Sequence, residues 1–281
     1  MNVKDIRLIV MDIDGTLVNS QRQLTPKTKE ALIRLEEHGI CLALASGRPY
    51  KGLIQLAKQL KMDEYNGILI SSNGARAEIL PSRTVRFEHA IPTELAKEVL
   101  EHLKQFDVYP MIEDGDYMLV NNVYQNEITC KGKTMNIIDY EAHSNGFLLK
   151  ESHDLTQSVN FSPSKILSAG SDVYLQEHYQ EMEAPFKDHL DCMFTAPFYF
   201  EYTAKDTNKG AAIESLGYAK EQIVAIGDAQ NDLPMFKNAG IKIAMGNAVD
   251  EVKAAADIVV DDNNHDGIGK WIEETFPEYF Q

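Results

Sequence analysis

The sequence is short of residues on which several kinds of protein depend. Its 281 residues include three cysteines, Cys41, Cys130 and Cys192, far apart and with no CxxC pair. Neither a disulfide framework nor a cysteine zinc cluster is expected, and the three read as small buried hydrophobes. No apolar run approaches the length needed to span a bilayer. The opening MNVKDIRLIVMD goes straight into a charged, strand-like segment without the apolar core or small-residue cleavage site of a secretory leader, so a cytoplasmic location is expected. Positive charge is scarce too: 27 Lys and Arg face 43 Asp and Glu, a formal net charge of −16. Nucleic acids and anionic membranes need a basic face, so neither is an expected partner. The eight histidines, His38, His89 and His102 among them, form no H-x-H or HxxxH pair and read as solvated surface groups. An anionic ligand would be repelled by such a chain, so a site for one needs a metal ion or a few well-placed Lys and Arg.

A hydrophobic content of 44% is ample for a core. The first third alternates strand 6–12, a helix from Thr25 to His38, strand 40–45, helix 49–60 and strand 67–71. Thr25-Pro26 supplies an N-cap and a proline at the first helical position, Gly39 closes the helix, and ICLALAS is a continuous apolar run suited to burial on both faces. This βαβαβ pattern implies a parallel sheet. The last third resumes it with a helix from Lys209 to Leu216, a strand ending at Gly227, a helix over 231–238, short strands IKIAM and DIVV, and a helix over 266–275. Residues 84–194 differ: helix 92–106, hairpin-like strands around YMLVNN, a loop-rich stretch 121–162, strand KILSAG, helix 172–183 and strand MFTAPFYFEY. The expected organisation is a doubly wound, mostly parallel α/β domain formed by 1–83 and 195–281, with an α+β insertion over 84–194.

The first strand, LIVM, runs into Asp12-Ile13-Asp14-Gly15. If it stayed extended through both acids, their side chains would share a face about 6–7 Å apart, with room for a cation. The plainer reading is a turn, with Asp12 as its cap and Asp14-Gly15 as a loop signal. Other segments weigh against that reading, because the carboxyl ends of parallel strands are where open α/β sheets bind ligands. The second strand ends in ASGR, where Ser46 and Gly47 offer a hydroxyl and an open backbone N–H to an oxyanion. A later strand ends in GDAQND, placing Asp228 just beyond it with Asn231 and Asp232 one turn on. Lys209, in TNKG, stands where the chain returns from the insertion.

Asp12-x-Asp14-Gly15-Thr16, Ser46-Gly47-Arg48, Lys209-Gly210 and Gly227-Asp228-x-x-Asn231-Asp232 resemble, in order, the four motifs of the haloacid dehalogenase (HAD) superfamily. The long insertion, SSNGA at 71–75 and MGNA at 245–248 resemble its Cof-type sugar-phosphate phosphatases. The resemblance implies a Rossmann-like HAD core with an inserted C2-type cap that closes during catalysis. It implies a Mg²⁺-dependent phosphomonoesterase acting on a small phosphorylated metabolite, a sugar phosphate for preference, as a monomer or homodimer. Asp12 would be the nucleophile that becomes an aspartyl phosphate, and Asp14 the general acid and then base. Mg²⁺ would be held by Asp12, the backbone carbonyl of Asp14, and Asp228. Ser46, the Gly47 N–H, Lys209 and Asn231 would hold the phosphoryl oxygens. Thr16, Asp232 and Arg48 would support these groups, Asp232 by orienting Lys209 or a metal-bound water and Arg48 by stabilising the substrate or, for preference, pairing with a neighbouring acid. A phosphomutase or phosphotransferase would share every core motif, and a non-enzymatic phosphoacceptor regulator would also cluster acids, a hydroxyl and a lysine around Mg²⁺.

Asp262, Asn264, Asp266, Gly267 and Glu273 fit the spacing of a calcium loop literally. That loop must follow a helix, whereas DIVVD reads as a strand and Asp266 as the N-cap of the final helix, so calcium is not expected. Trp271, with Ile268 and Ile272 at helical spacing, reads as core.

Overall fold

The computed structural model describes residues 3–124 and 126–280. Its first strand is Leu8–Met11, four apolar residues without exposed surface, flanked in parallel by Ile223–Gly227 on one side and Cys41–Ala45 on the other. A strand so placed is covered on both faces, which is why it reads as an unbroken apolar run. Across the eight-stranded sheet the order is Ile258–Val259, Ile241–Ala244, Ile223–Gly227, Leu8–Met11, Cys41–Ala45, Ile68–Ser71, Arg76–Ile79 and Thr84–Glu88. The first six are parallel, and Arg76–Ile79 runs antiparallel to both of its neighbours, Ile68–Ser71 and Thr84–Glu88. The helix Pro26–Glu37 starts where the Thr25 side chain accepts a hydrogen bond from Thr28 N, and it buries Ala31, Leu32 and Leu35. The doubly wound α/β expectation holds.

The chain divides into two compact units, one running through Glu88 and resuming at Asn208, the other spanning His89–Thr207. These boundaries correct the expected division at 83/84 and 194/195. Thr84–Glu88 belongs to the first sheet because it pairs with Arg76–Ile79. Tyr199–Ala204, assigned by the sequence division to the core, lies between Lys165–Ala169 and Leu190–Ala196 in the second unit's sheet. MFTAPFYFEY is thus two strands, turned at Pro197-Phe198, and all six side chains of Tyr199–Ala204 are buried.

The second unit's sheet has the order Leu148–Glu151, Tyr117–Val120, Tyr109–Asp114, Lys165–Ala169, Tyr199–Ala204, Leu190–Ala196. One of its cores packs Leu100, Leu103, Ile166, Leu175 and Phe200. The stretch expected to be loop-rich contains the hairpin Glu127–Cys130 with Lys133–Asn136, the helix Ile137–Asn145 and the edge strand Leu148–Glu151. No helix among the described residues is long and apolar enough to cross a membrane.

Candidate active site

The strand ends at Met11, with Asp12 N making one last bond to the neighbouring strand at Ile226 O, 3.0 Å. The chain then folds sharply, with Ile13 O accepting from Thr16, Leu17 and Val18 N at 3.3, 3.0 and 3.1 Å. The premise of an extended Asp12-x-Asp14 pair therefore fails. Asp12 is 7% exposed, whereas the Asp14 side chain is 50% exposed. Burial of Leu8–Met11, at roughly 1.5–3 kcal/mol per large apolar side chain, draws the adjoining Asp12 carboxylate out of water.

A carboxylate so placed needs positive charge, and Lys209 supplies it. Its fully buried ammonium donates to Asp12 Oδ1 at 2.5 Å and to Asp232 Oδ1 at 2.7 Å. Asn208 starts the helix Lys209–Glu214 by accepting from Ala211 N at 3.1 Å, which sets Lys209 in the first turn. Asp232 Oδ2 accepts from Asp228 N and Ala229 N at 2.9 and 3.0 Å, so both of its oxygens are engaged. Asp228 Oδ1 accepts from Thr16 Oγ1 at 2.6 Å. Burial above all, against the pull of Lys209 and with Asp232 and Asp228 adding to it, leaves the Asp12 carboxyl pushed up to about 7. Burial likewise raises Asp228, against the Thr16 hydrogen bond. Burial opposes charge on Lys209, yet Asp12 and Asp232 outweigh it and hold the amine above the ordinary lysine value. Three carboxylates around one ammonium leave this cluster short of positive charge.

Oxygens of Asp12, Asp228 and Asp232 lie within 4.8 Å of one another, so this acidic group could hold a metal ion. Because Asp232 is committed to Lys209 and two backbone amides, the oxygens of this cluster without a hydrogen-bond partner among the described residues are Oδ2 of Asp12 and of Asp228. Gly15 makes that closeness possible: at φ 87°, a side chain there would meet Asp228 Oδ2 at 2.4 Å.

Arg48 binds the Asp14 carboxylate with two hydrogen bonds, Nε to Oδ2 at 2.8 Å and Nη2 to Oδ1 at 2.6 Å. Ser46, buried at the end of the second strand, accepts from Arg48 N at 3.2 Å through its hydroxyl. Asn231 Nδ2 donates to Asn73 Oδ1 at 3.3 Å. The same region thus gathers Asp12, Thr16, Ser46, Gly47, Lys209, Asp228, Asn231 and Asp232, with Asp14 turned outward onto Arg48. Two asparagines with no role assigned from sequence also take part. Asn247, in MGNA, donates to Gly15 O at 2.8 Å and braces the turn after Asp12. Asn73, in SSNGA, holds Asn231. Their position just past apolar, strand-like segments was the available signal.

The calcium-like loop is directed apart. Asp262 accepts from His265 and Asn264, Asn264 from Ser20, and Asp266 from Thr25, while Glu273 pairs with Lys27.

Residues 9–272 match the family profile of haloacid dehalogenase-like hydrolases. The chain belongs to this family. Its relatives among these hydrolases include 5-amino-6-(5-phospho-D-ribitylamino)uracil phosphatase YcsE of Bacillus subtilis (strain 168), 30% identical over 274 residues and covering 95% of each chain. Pyridoxal phosphate phosphatase YbhA of Escherichia coli (strain K12) is 28% identical over 273 residues, covering 95% of this chain and 97% of its own. The crystal structure of a haloacid dehalogenase-like hydrolase from Bacteroides thetaiotaomicron agrees with TM-score 0.87 at 31% identity, over 96% of this chain and all of that one. The HAD-type chain described here is accordingly an enzyme of the phosphatase group.

Proposed function

We propose that the protein is a Mg²⁺-dependent phosphomonoesterase that hydrolyses a small phosphorylated metabolite, a sugar phosphate or similar polyol phosphate, through an aspartyl phosphate. The observation that carries the reading is the Asp12 carboxylate: one oxygen is held by buried Lys209, the other has no hydrogen-bond partner among the described residues, and the group lies within 4.8 Å of Asp228 and Asp232.

Lys209 fixes the rotamer of Asp12 and leaves Oδ2 to attack phosphorus as the bond to the departing alcohol breaks. Asp14 protonates that alcohol, then takes a proton from the water that displaces Asp12, and Arg48 fixes its orientation. The Ser46 hydroxyl, the Gly47 N–H, Lys209 and Asn231 hold the phosphoryl oxygens. A set of carboxylate and carbonyl oxygens suits a hard cation, and Asp12, Asp228 and the Asp14 carbonyl would hold Mg²⁺. Bound there, it would neutralise the acids and the phosphoryl charge together. Asp232 and Thr16 orient Lys209 and Asp228.

That YcsE is named for a phosphoribityl uracil and YbhA for pyridoxal phosphate supports a small organic monoester. The net charge of −16 argues against polyanionic nucleic acid. The inserted unit, residues 89–207, is the proposed determinant of which metabolite is accepted.

The purified protein is assayed with p-nitrophenyl phosphate and a panel of sugar phosphates. Mg²⁺-dependent release of alcohol and inorganic phosphate in equal amounts, abolished by EDTA and restored by Mg²⁺, is the expected result. Alcohol release without matching phosphate would indicate transfer to a second acceptor, and no turnover of any monoester would end the phosphatase reading.

A further inference from the structure

The SSNG loop after the third strand is strained, and its strain has a direction. Ser72 and Asn73 both adopt the left-handed conformation, at φ 49° and 55°. Such backbone costs about 1 kcal/mol or more per residue, and its placement at a site calls for a reason. Here the loop is stitched to the segment carrying Ser46 and Gly47. Ser72 N donates to Arg48 O and Asn73 N to Ser46 O, each at 2.9 Å. The half-buried Asn73 side chain is thereby laid over Gly47, where an added Cβ would lie 3.2 Å from Asn73 Nδ2 and 3.3 Å from its Oδ1. Asn73 Oδ1 accepts from Asn231 at 3.3 Å, while Nδ2 donates to no protein group among the described residues. An amide donor without a partner thus sits between two groups proposed to hold phosphoryl oxygens.

The geometry points to Asn73 as a further phosphoryl-binding residue: its Oδ1 aligns the Asn231 amide, and its Nδ2 donates to an oxygen of the phosphoryl group held at Ser46 and Gly47. This rests on the phosphatase reading for the identity of the anion. The left-handed backbone is what directs the side chain there, because an extended residue would carry it away from Gly47. One side chain therefore serves two of the strand-end segments at once.

The backbone conformation also supplies a clean test. Glycine adopts φ 55° without strain, so Asn73→Gly deletes the side chain and keeps the loop. Asn73→Asp keeps an acceptor for Asn231, removes the donor and adds a charge that repels phosphate. Each variant and the wild type are compared in kcat/KM for p-nitrophenyl phosphate, in Kd for inorganic phosphate with Mg²⁺ present, and in thermal midpoint. Expected are an unchanged or raised midpoint for Asn73→Gly with a loss of about tenfold in kcat/KM and weaker phosphate binding, and a loss of about a hundredfold or more for Asn73→Asp. Asn73→Gly within twofold of wild type, or Asn73→Asp within threefold, would overturn the assignment. A wild type that binds phosphate but turns over no monoester sinks the phosphatase reading alone, and phosphate binding by the variants then decides Asn73. A wild type that binds no phosphate removes the inference.

Discussion

Asp12 and Asp14 are two residues apart and in opposite environments. Asp12 is buried against Lys209, and Asp14 is half exposed against Arg48. Different surroundings let two chemically identical groups take different parts, one as nucleophile and one as proton carrier. Asp12→Asn keeps an acceptor for Lys209 but no anionic oxygen to attack phosphorus. It is expected to fold normally and lose about 10³-fold or more in kcat, and near-wild-type turnover by a pure preparation would remove Asp12 as nucleophile. Lys209→Met is expected to damage both stability and rate. It leaves Asp12 and Asp232 buried without their shared cation, an imbalance of about 3–5 kcal/mol for a broken buried pair, so the melting midpoint drops by several degrees along with kcat/KM. A variant with unaltered melting would mean that water or metal already compensates those carboxylates.

At the scale of single elements, the helix Pro26–Glu37 carries a buried acid that the proposed chemistry does not use. Glu36 is 3% exposed and neither of its carboxylate oxygens has a hydrogen-bond partner among the described residues. Burial, then Asp63 and Glu64, pushes its carboxyl up to about 8 from the usual 4.5. The folded state keeps this proton to higher pH than the unfolded chain does. Its contribution to stability is therefore present below about 4.5 and lost as pH rises through about 8. Glu36→Gln is expected to match the wild type in melts at pH 5 and to exceed it by about 2 kcal/mol or more at pH 9. A gap that does not change with pH would show that Glu36 does not carry a raised pKa. The helix itself was legible because Thr25, Pro26 and Gly39 mark its ends locally. The hairpin Arg76–Ile79 with Thr84–Glu88 was not legible, since these short polar segments become strands only by pairing with the edge strand Ile68–Ser71. The split at Pro197-Phe198 was missed for a related reason: the residues on either side are equally β-favouring, and only the fold-back pairing of Ala196 with Tyr199 separates them.

Across the whole molecule, a net charge of −16 and a site with too little positive charge both favour cation binding. Mg²⁺ at about a hundred times its Kd is expected to stabilise the site-bearing unit by about 2.7 kcal/mol, read as an upward shift of its melting transition. Asp228→Asn is expected to abolish that shift. An equal shift in the variant, or none in the wild type, would place the cation elsewhere. The alternation of parallel strands and helices in the site-bearing unit, and the acids, serine, lysine and asparagine at strand ends, were legible in the sequence alone, because periodicity, caps and turn chemistry act over a few neighbouring residues. The tertiary structure alone decided that Asp12 is buried and Asp14 is not, that Lys209 joins Asp12 to Asp232, and that Asn73 reaches Asn231. Those pairings join residues as many as 197 positions apart, and burial at such a site is a property of everything packed around it rather than of any one segment.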